Sequence, residues 1–505
     1  MIQLPARLEG SLLERTGSLG IGRLRSAVTT RPAGCWRRAL ATSALLGVAC
    51  VVGAAVTVVP PSQLLAGLAA CLLIAIVMAR PPSAAYILIG VTPLVAGMDR
   101  GLVVPVLRPN EALLVLVAAG LVLRGVVRAA GRGALPKLAL DATDWSILLL
   151  AFTSSVLPLA WMLARGQPIA QDDLLYALMV WKYYGVYLVA RCSVGTERQL
   201  GNCLWVAMIS ASVVAVVAIL QSLKLFGVPY LLSRYFAPYG SAEALLNNRG
   251  GSTLALPIAV ADLLTFNLAI AVGFLARGRG PRGALLVMGM LFVAGVLSSG
   301  EFSGATGLFL GVVTVALVTR RVRPLAGLVP AFIAAAYALR PVIDRRLQGF
   351  SSASGLPVSW TGRLYNLRSY FWPVLFSHGN VLLGVRPAAR VATATMATGY
   401  IWIESGYTWL LWAGGIPLLL AFLYFLRTNL RQHLAVARSR DDAAGVAALA
   451  VAVALVVIGV LMVLDPHLTY RGSADLLFVL IGLTSGARRR LPRADQAQDG
   501  ADHAR

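Results

Sequence analysis

Acidic residues are scarce in this chain. Asp and Glu number 21 against 44 Lys and Arg, and charged residues together make up 13% of 505 positions. A soluble domain carries about 25% charged residues, so a soluble globular class is excluded. Histidine is rarer still, with four residues. The five cysteines (Cys35, Cys50, Cys71, Cys192 and Cys203) show no metal-site spacing. None falls in a loop that the topology below places outside, so no disulfide is expected. A cleavable signal peptide and a solenoid repeat are also missing: the polar, arginine-bearing stretch 1–38 is too long for an n-region.

What the chain has in abundance is apolar sequence. Hydrophobic residues make up 58%, and the mean hydropathy is +0.77. Apolar runs recur at about 39–59, 62–79, 84–98, 110–128, 145–163, 173–190, 202–224, 254–275, 284–298, 303–319, 324–340, 401–426, 444–464 and 472–487. A membrane span needs roughly 20 apolar residues; the runs at 84–98 and 284–298 are short enough to be half-helices or tilted pieces. The expectation is an all-α polytopic membrane protein of roughly 12–14 transmembrane helices. A basic N-terminal segment (1–38) leads into a helix bundle (39–340). A large extracytoplasmic loop (341–400) with short amphipathic helices follows, then C-terminal helices (401–487) and a disordered tail (488–505).

The net charge of +23 would point to nucleic acid in a soluble protein. Here most of it sits where cytoplasmic loops accumulate Lys and Arg, and the alternation is consistent with both termini inside. Two outside segments break that pattern. The loop at about 225–253 carries Arg234 and Arg249; the long loop 341–400 carries Arg345, Arg346, Arg363, Arg368, Arg386 and Arg390, with Asp344 its only acidic residue. Guanidinium forks match phosphate oxygens and keep their charge, so an anion site is the functional reading. Long translocated loops escape the charge rule, and that is the structural alternative.

Several motifs carry candidate chemistry. In "NNRGGSTLALP" (247–257), Gly250 and Gly251 permit a sharp turn or close backbone approach and place Arg249 at a helix N-terminus, a natural anion position. In "SWTGRLYNLRSYFWPVLFSHGNVLLGV" (359–385), Trp360, Leu364, Leu367, Phe371 and Leu375 recur at helical spacing. An interfacial amphipathic helix is expected there, with Arg363 and Arg368 five apart and not on one strict face. Lys182 stands near the middle of an apolar run, where a charge is expensive and usually faces a cavity or a partner. Asp262 and Glu301 are further carboxylates within or at the edge of spans. "SSGEFSGATG" (298–307) reads as a tight turn into a small-residue helix that packs closely. His378, in "SHGN", and His467, in "DPHLTYRG" beside Asp465 and Arg471, are candidate bases whose simpler reading is structural. Glu404, in "WIESGYTWLLWAGG", is either an interface carboxylate in an aromatic belt with Trp402, Tyr407 and Trp409 or a catalytic one.

In this order, over about 170–430, these segments resemble the O-antigen ligase/O-antigen polymerase superfamily of bacterial membrane glycosyltransferases. The resemblance rests on "VWKYYGVYLVA", "NRGGSTLALP", "SSGEFSGATGLFLG", the outer loop "TGRLYNLRSYFWPVLFSHGNVLLGV" and "ESGYTWLLWAGGIPLLL". The family's last block has His-Asn or His-Ser, about nine residues, then Gly. Here Glu404-Ser405, nine residues and Gly415 keep the spacing and change the first residue.

The resemblance implies metal-independent transfer of glycan from a polyprenyl-diphosphate carrier to an acceptor at the outer face of the bacterial cytoplasmic (inner) membrane, without a cofactor. It places diphosphate binding on Arg249, Arg363 and Arg368, and the base that activates the acceptor hydroxyl on Glu404. Lys182 joins the diphosphate set, and Tyr407, His378 and His467 are secondary candidates. The partners it implies are a polyprenyl-diphosphate-linked oligosaccharide, an acceptor glycan and membrane lipids, with no nucleic acid. The change from His to Glu tilts the reading toward a polysaccharide polymerase over a ligase with a lipid or protein acceptor. A transporter or flippase is the reading from another class, although no inverted repeat is evident; a relative that has lost its chemistry is the fourth.

Overall fold

A computed structural model describes residues 61–101, 107–132, 139–236, 246, 249–321, 326–348, 358–393 and 399–490. The basic segment 1–38, the expected span 39–59 and the residues after Arg490 lie outside them. The chain up to Cys71 separates from a compact unit Leu72–Arg505; α1 (Pro61–Ala79) crosses that boundary, and the elements below belong to the second unit.

The chain is an all-α polytopic membrane protein. Its elements are α2 (Pro82–Val95), α3 (Pro109–Arg132), α4 (Ala142–Ala164), α5 (Gln171–Ser193), α6 (Glu197–Ser222), the short α7 (Val228–Tyr235), α8 (Pro257–Ala276), α9 (Arg282–Ser298) and α10 (Phe302–Thr319). Then come α11 (Val329–Ala338), α12 (Arg340–Gln348), α13 (Val358–Asn366), a π-turn (Leu367–Phe371), α14 (Trp372–Leu375) and α15 (Asn380–Leu383). A two-stranded ribbon, β1 (Arg390–Ala392) and β2 (Tyr400–Trp402), precedes α16 (Gly406–Ser439), α17 (Ala443–Leu461) and α18 (Ser473–Arg490).

Seven of these helices are long and apolar enough to cross a membrane, and four more are shorter and apolar. The run at 324–340 differs from expectation: α11 is a helix of 10 residues, about 15 Å long, half the hydrocarbon thickness of about 30 Å. α18 is helical through Arg490, past the expected start of the tail at 488.

Composition decides who sits in the middle. α8 and α17 have no polar stripe and are 89% and 83% buried, whereas α3 is 17% buried. α8 packs on α9, α10 and α17. The small-residue face expected after "SSGEFSGATG" does pack closely: a Cβ on Gly304 would stand 2.7 Å from Ala261, and one on Gly311 2.9 Å from Thr265.

α16 is two helices joined at Gly415, whose φ of 66° and ψ of −160° only glycine adopts readily. A Cβ there would run into the Leu382 carbonyl, and one on Gly384 would stand 2.9 Å from both Gly414 N and the Trp412 carbonyl. The long loop before α16 is thereby keyed into the kink, and the Val385 N–H donates to the Trp412 carbonyl at 2.7 Å. Gly415, nine intervening residues after Ser405, is thus a packing requirement. Gly415→Ala is expected to cost about 2 kcal/mol or more, read as a lower melting temperature in detergent. Gly125→Ala, at a position with open space, should be near neutral.

Candidate functional site

A cleft of about 1030 Å³ opens at one end of the bundle. It is built from the N-terminal ends of α3, α5, α8, α10 and α16, the loop before α18, the loop after α2, α13 and the ribbon. Helix N-termini present unsatisfied N–H groups and a partial positive charge. At the opposite end basic residues collect on helix C-termini, with Arg277, Arg320 and Arg440 as the C-caps of α8, α10 and α16.

The cleft runs down α5 from Asp172 to Lys182 and Tyr183, a descent of about 15 Å at 1.5 Å per residue. On that side it is walled by Val115, Leu178 and Trp181, which are 57%, 60% and 36% exposed. The polar mouth thus passes into an apolar wall between α3 and α5.

Seven basic and six acidic side chains line the cleft. The basic side chains gathered there are thus nearly matched by carboxylates. The carboxylates come from elements remote in sequence, so the outer-loop arginines look unopposed only in one dimension. Arg249 pairs with Glu301, the N-cap of α10, and Arg390 with Asp172. Lys182 pairs with Asp475 at 3.2 Å and lies 4.2 Å above the Tyr183 ring. Arg386, the cleft's neighbour, grips buried Asp173 through two hydrogen bonds of 3.0 and 2.6 Å. Among the described residues no carboxylate stands within ion-pair distance of Arg108 or Arg471. Arg471 donates to the Ala96 carbonyl at 3.1 Å, and the buried Nη1 of Arg108 has no hydrogen-bond acceptor.

Arg363 is the hub. Its Nη1 is 2.9 Å from Asp465 Oδ2 and its Nε is 3.8 Å from Glu404 Oε1. Glu404 immediately precedes Ser405, whose hydroxyl caps α16 by accepting from the Thr408 N–H. The Ile403 N–H donates to the Ala389 carbonyl at 3.2 Å. With both sides anchored, Glu404 is held at the mouth of α16, half-buried. Burial raises its carboxyl above the ordinary carboxylate range; Arg363 pulls it back and Asp465 pushes it further up. Burial likewise raises Asp465, against the pull of Arg363 and His467.

Of the sequence candidates, the structure brings Glu404, Arg363, Arg249 and Lys182 into this one cleft. Arg368 is exposed on the π-turn and does not line it; five residues from Arg363, it faces elsewhere, as the spacing implied. His378 is exposed, with φ of 50°, in the turn before α15, also away from the cleft. Tyr407 donates its hydroxyl to the Gly459 carbonyl at 2.7 Å and so ties α16 to α17. His467 is fully buried, with Nδ1 2.8 Å from Asp262 Oδ2; it braces the bundle core and does not line the cleft.

Asp465 is the cleft residue that sequence reading undervalued. Its only signal was adjacency to His467 and Arg471 in a short outer loop. Asp172, Arg108 and Glu111 line the cleft without any signal in the sequence. No protein-family model matches the chain, and no curated protein matches it in sequence.

Proposed function

We propose that the chain is a membrane glycosyltransferase that joins glycan from a polyprenyl-diphosphate carrier to a hydroxyl of an acceptor glycan, as a polysaccharide polymerase. The observation that supports it most is a single one. Arg363 couples Glu404 to Asp465 on the wall of a deep cleft whose mouth is lined by charged side chains and whose α5 side is lined by Val115, Leu178 and Trp181. A substrate with a polar head and a polyprenyl tail needs both kinds of lining.

In this reading the acceptor hydroxyl donates its proton to Glu404 as its oxygen bonds the anomeric carbon. The bond from that carbon to the phosphate oxygen breaks, and the carrier diphosphate departs with the bonding pair. The leaving charge needs fixed donors. A guanidinium has five N–H groups, so Arg363 and Arg249 keep donors for phosphate oxygens while their carboxylate partners hold them in place. Arg108 and Arg471 add charge with no carboxylate in ion-pair contact among the described residues, and Lys182 stands deeper along the same wall.

A raised carboxyl suits a base working near neutrality. The base form exists above the raised value, so activity falls as pH drops through it. Asp465→Asn removes a negative neighbour that holds Glu404 up. The acid limb of the pH–activity profile should therefore move to lower pH; an unmoved limb would separate Asp465 from the base.

The deciding experiment supplies purified protein with a polyprenyl-diphosphate oligosaccharide. Chain lengthening with released carrier diphosphate supports the polymerase. Release only with a distinct lipid or protein acceptor supports the ligase instead. Movement of the intact lipid across a bilayer with neither product would make the protein a transporter.

A further inference from the structure

One wall of the cleft has no part in the steps above. The ribbon pairs Arg390 with Trp402 and Ala392 with Tyr400. Directly opposed residues share a face and alternate residues return to it, so Arg390, Tyr400 and Trp402 project together. The Arg390 guanidinium lies 4.0 Å from the Tyr400 ring centre and 5.4 Å from that of Trp402, and it pairs with Asp172 on the first turn of α5. Tyr176, one turn further along α5, stands 6.3 Å from Trp402, ring centre to ring centre. All five side chains line the cleft.

This wall is held rigidly. Asp173, next to Asp172, takes the Arg386 fork and the Ala388 N–H, and Trp412 Nε1 donates to the Ala388 carbonyl at 3.0 Å. The adjacent acidic residues thus divide the work: Asp173 pins the chain leading into the ribbon, and Asp172 faces the cleft. Rings in an aromatic belt point to lipid headgroups; these three line the cleft beside a charged pair.

From this geometry we infer that Trp402, Tyr400, Tyr176, Arg390 and Asp172 form a saccharide-binding subsite, which takes a pyranose ring of the glycan next to the bond being made. The chemistry matches on two counts. The C–H face of a pyranose carries slight positive charge and lies against the negative face of an aromatic ring. Its ring hydroxyls both donate and accept, and the Arg390–Asp172 pair offers fixed donors and acceptors side by side. A quaternary ammonium headgroup also favours aromatic walls, but the adjacent Arg390 cation repels a second positive charge. Trp402 is two residues from Glu404, about 7 Å along an extended strand, so a ring stacked on Trp402 lies one sugar away from the base.

The inference rests on the glycan-transfer reading, and its test keeps the two apart. In the full-length chain, expressed in the cells from which the gene comes, p-benzoylphenylalanine replaces Tyr400 in one strain and Asn366, on the arginine side of the cleft, in another. After irradiation the adducts are purified and hydrolysed for sugar and polyprenyl content. The probe at 400 is expected to capture sugar. Adding Trp402→Ala should cut that capture at least tenfold, while Trp402→Phe, which keeps a ring, should retain most of it. Equal capture with Ala and Phe, or a phospholipid adduct alone at 400, overturns the subsite. No sugar at 400 while the probe at 366 captures polyprenyl diphosphate overturns the subsite and leaves glycan transfer standing. Capture of neither sugar nor carrier at both positions overturns the two together.

Discussion

Glu404→Gln is expected to lower glycan transfer by roughly 10²- to 10⁴-fold, the usual contribution of a positioned general base, with binding of the carrier lipid retained. The substitution keeps the shape of the side chain and the Arg363–Asp465 ion pair at 2.9 Å, so it removes the proton acceptor and little else. The pH dependence gives a second readout. Burial holds Glu404 above the ordinary carboxylate range, so wild-type activity should rise with pH through that elevated value, and the residual activity of the variant should lack that limb. Linkage sets the sign for stability. A carboxyl raised in the folded state stabilises fully below its unfolded pKa, and that stabilisation is lost as pH rises through the folded value. At neutral pH the Gln variant escapes this penalty, so its melting temperature should equal or exceed that of the parent. Full transfer activity in Glu404→Gln would remove this residue from the mechanism.

Arg363 carries the other large effect, and two substitutions divide its roles. Arg363→Ala leaves Asp465, 3% exposed, without its cation. Breaking a buried ion pair by removing one partner costs about 3–5 kcal/mol. The low end is expected because the Arg363 side chain keeps 18% exposure. That variant should melt early and bind carrier weakly. Arg363→Lys keeps one positive charge for Asp465 but loses the planar fork that reaches Glu404 and the substrate at once. It should stay folded and lose carrier affinity by about tenfold or more, the worth of one charge-assisted hydrogen bond. Affinity is measured by titrating detergent-solubilised protein with polyprenyl diphosphate, and stability by thermal melting of the same sample. A Lys variant with parental affinity would show that Arg363 only braces Asp465.

Legibility from sequence differed sharply between the fold and the site. The membrane class and most helices were plain, because hydrophobic runs are local. Even the order of burial was present in composition: α8 and α17 have no polar stripe, and they became the core. The run at 324–340 misled because apolar content alone does not say where a helix stops. Within it, α11 covers only Val329–Ala338. Glu404 and Gly415 were visible as a spaced pair, but the reason for the glycine was hidden. It lies in the Leu382–Gly384 backbone pressed into the kink of α16.

Sequence by itself determined that this chain is a polytopic membrane protein, that most of its apolar runs are helices, and that the long loop before Glu404 is rich in arginine. Tertiary structure alone decided which of those charges remain available. Arg249 meets Glu301, Arg363 meets Asp465, and Arg390 meets Asp172 across 52, 102 and 218 residues of chain. His467, a loop residue in sequence, went to the core with Asp262. Hydrophobic periodicity is written residue by residue along one helix. An ion pair between distant segments exists only when packing brings them together, because a charge in a low-dielectric interior must find whichever partner the fold supplies.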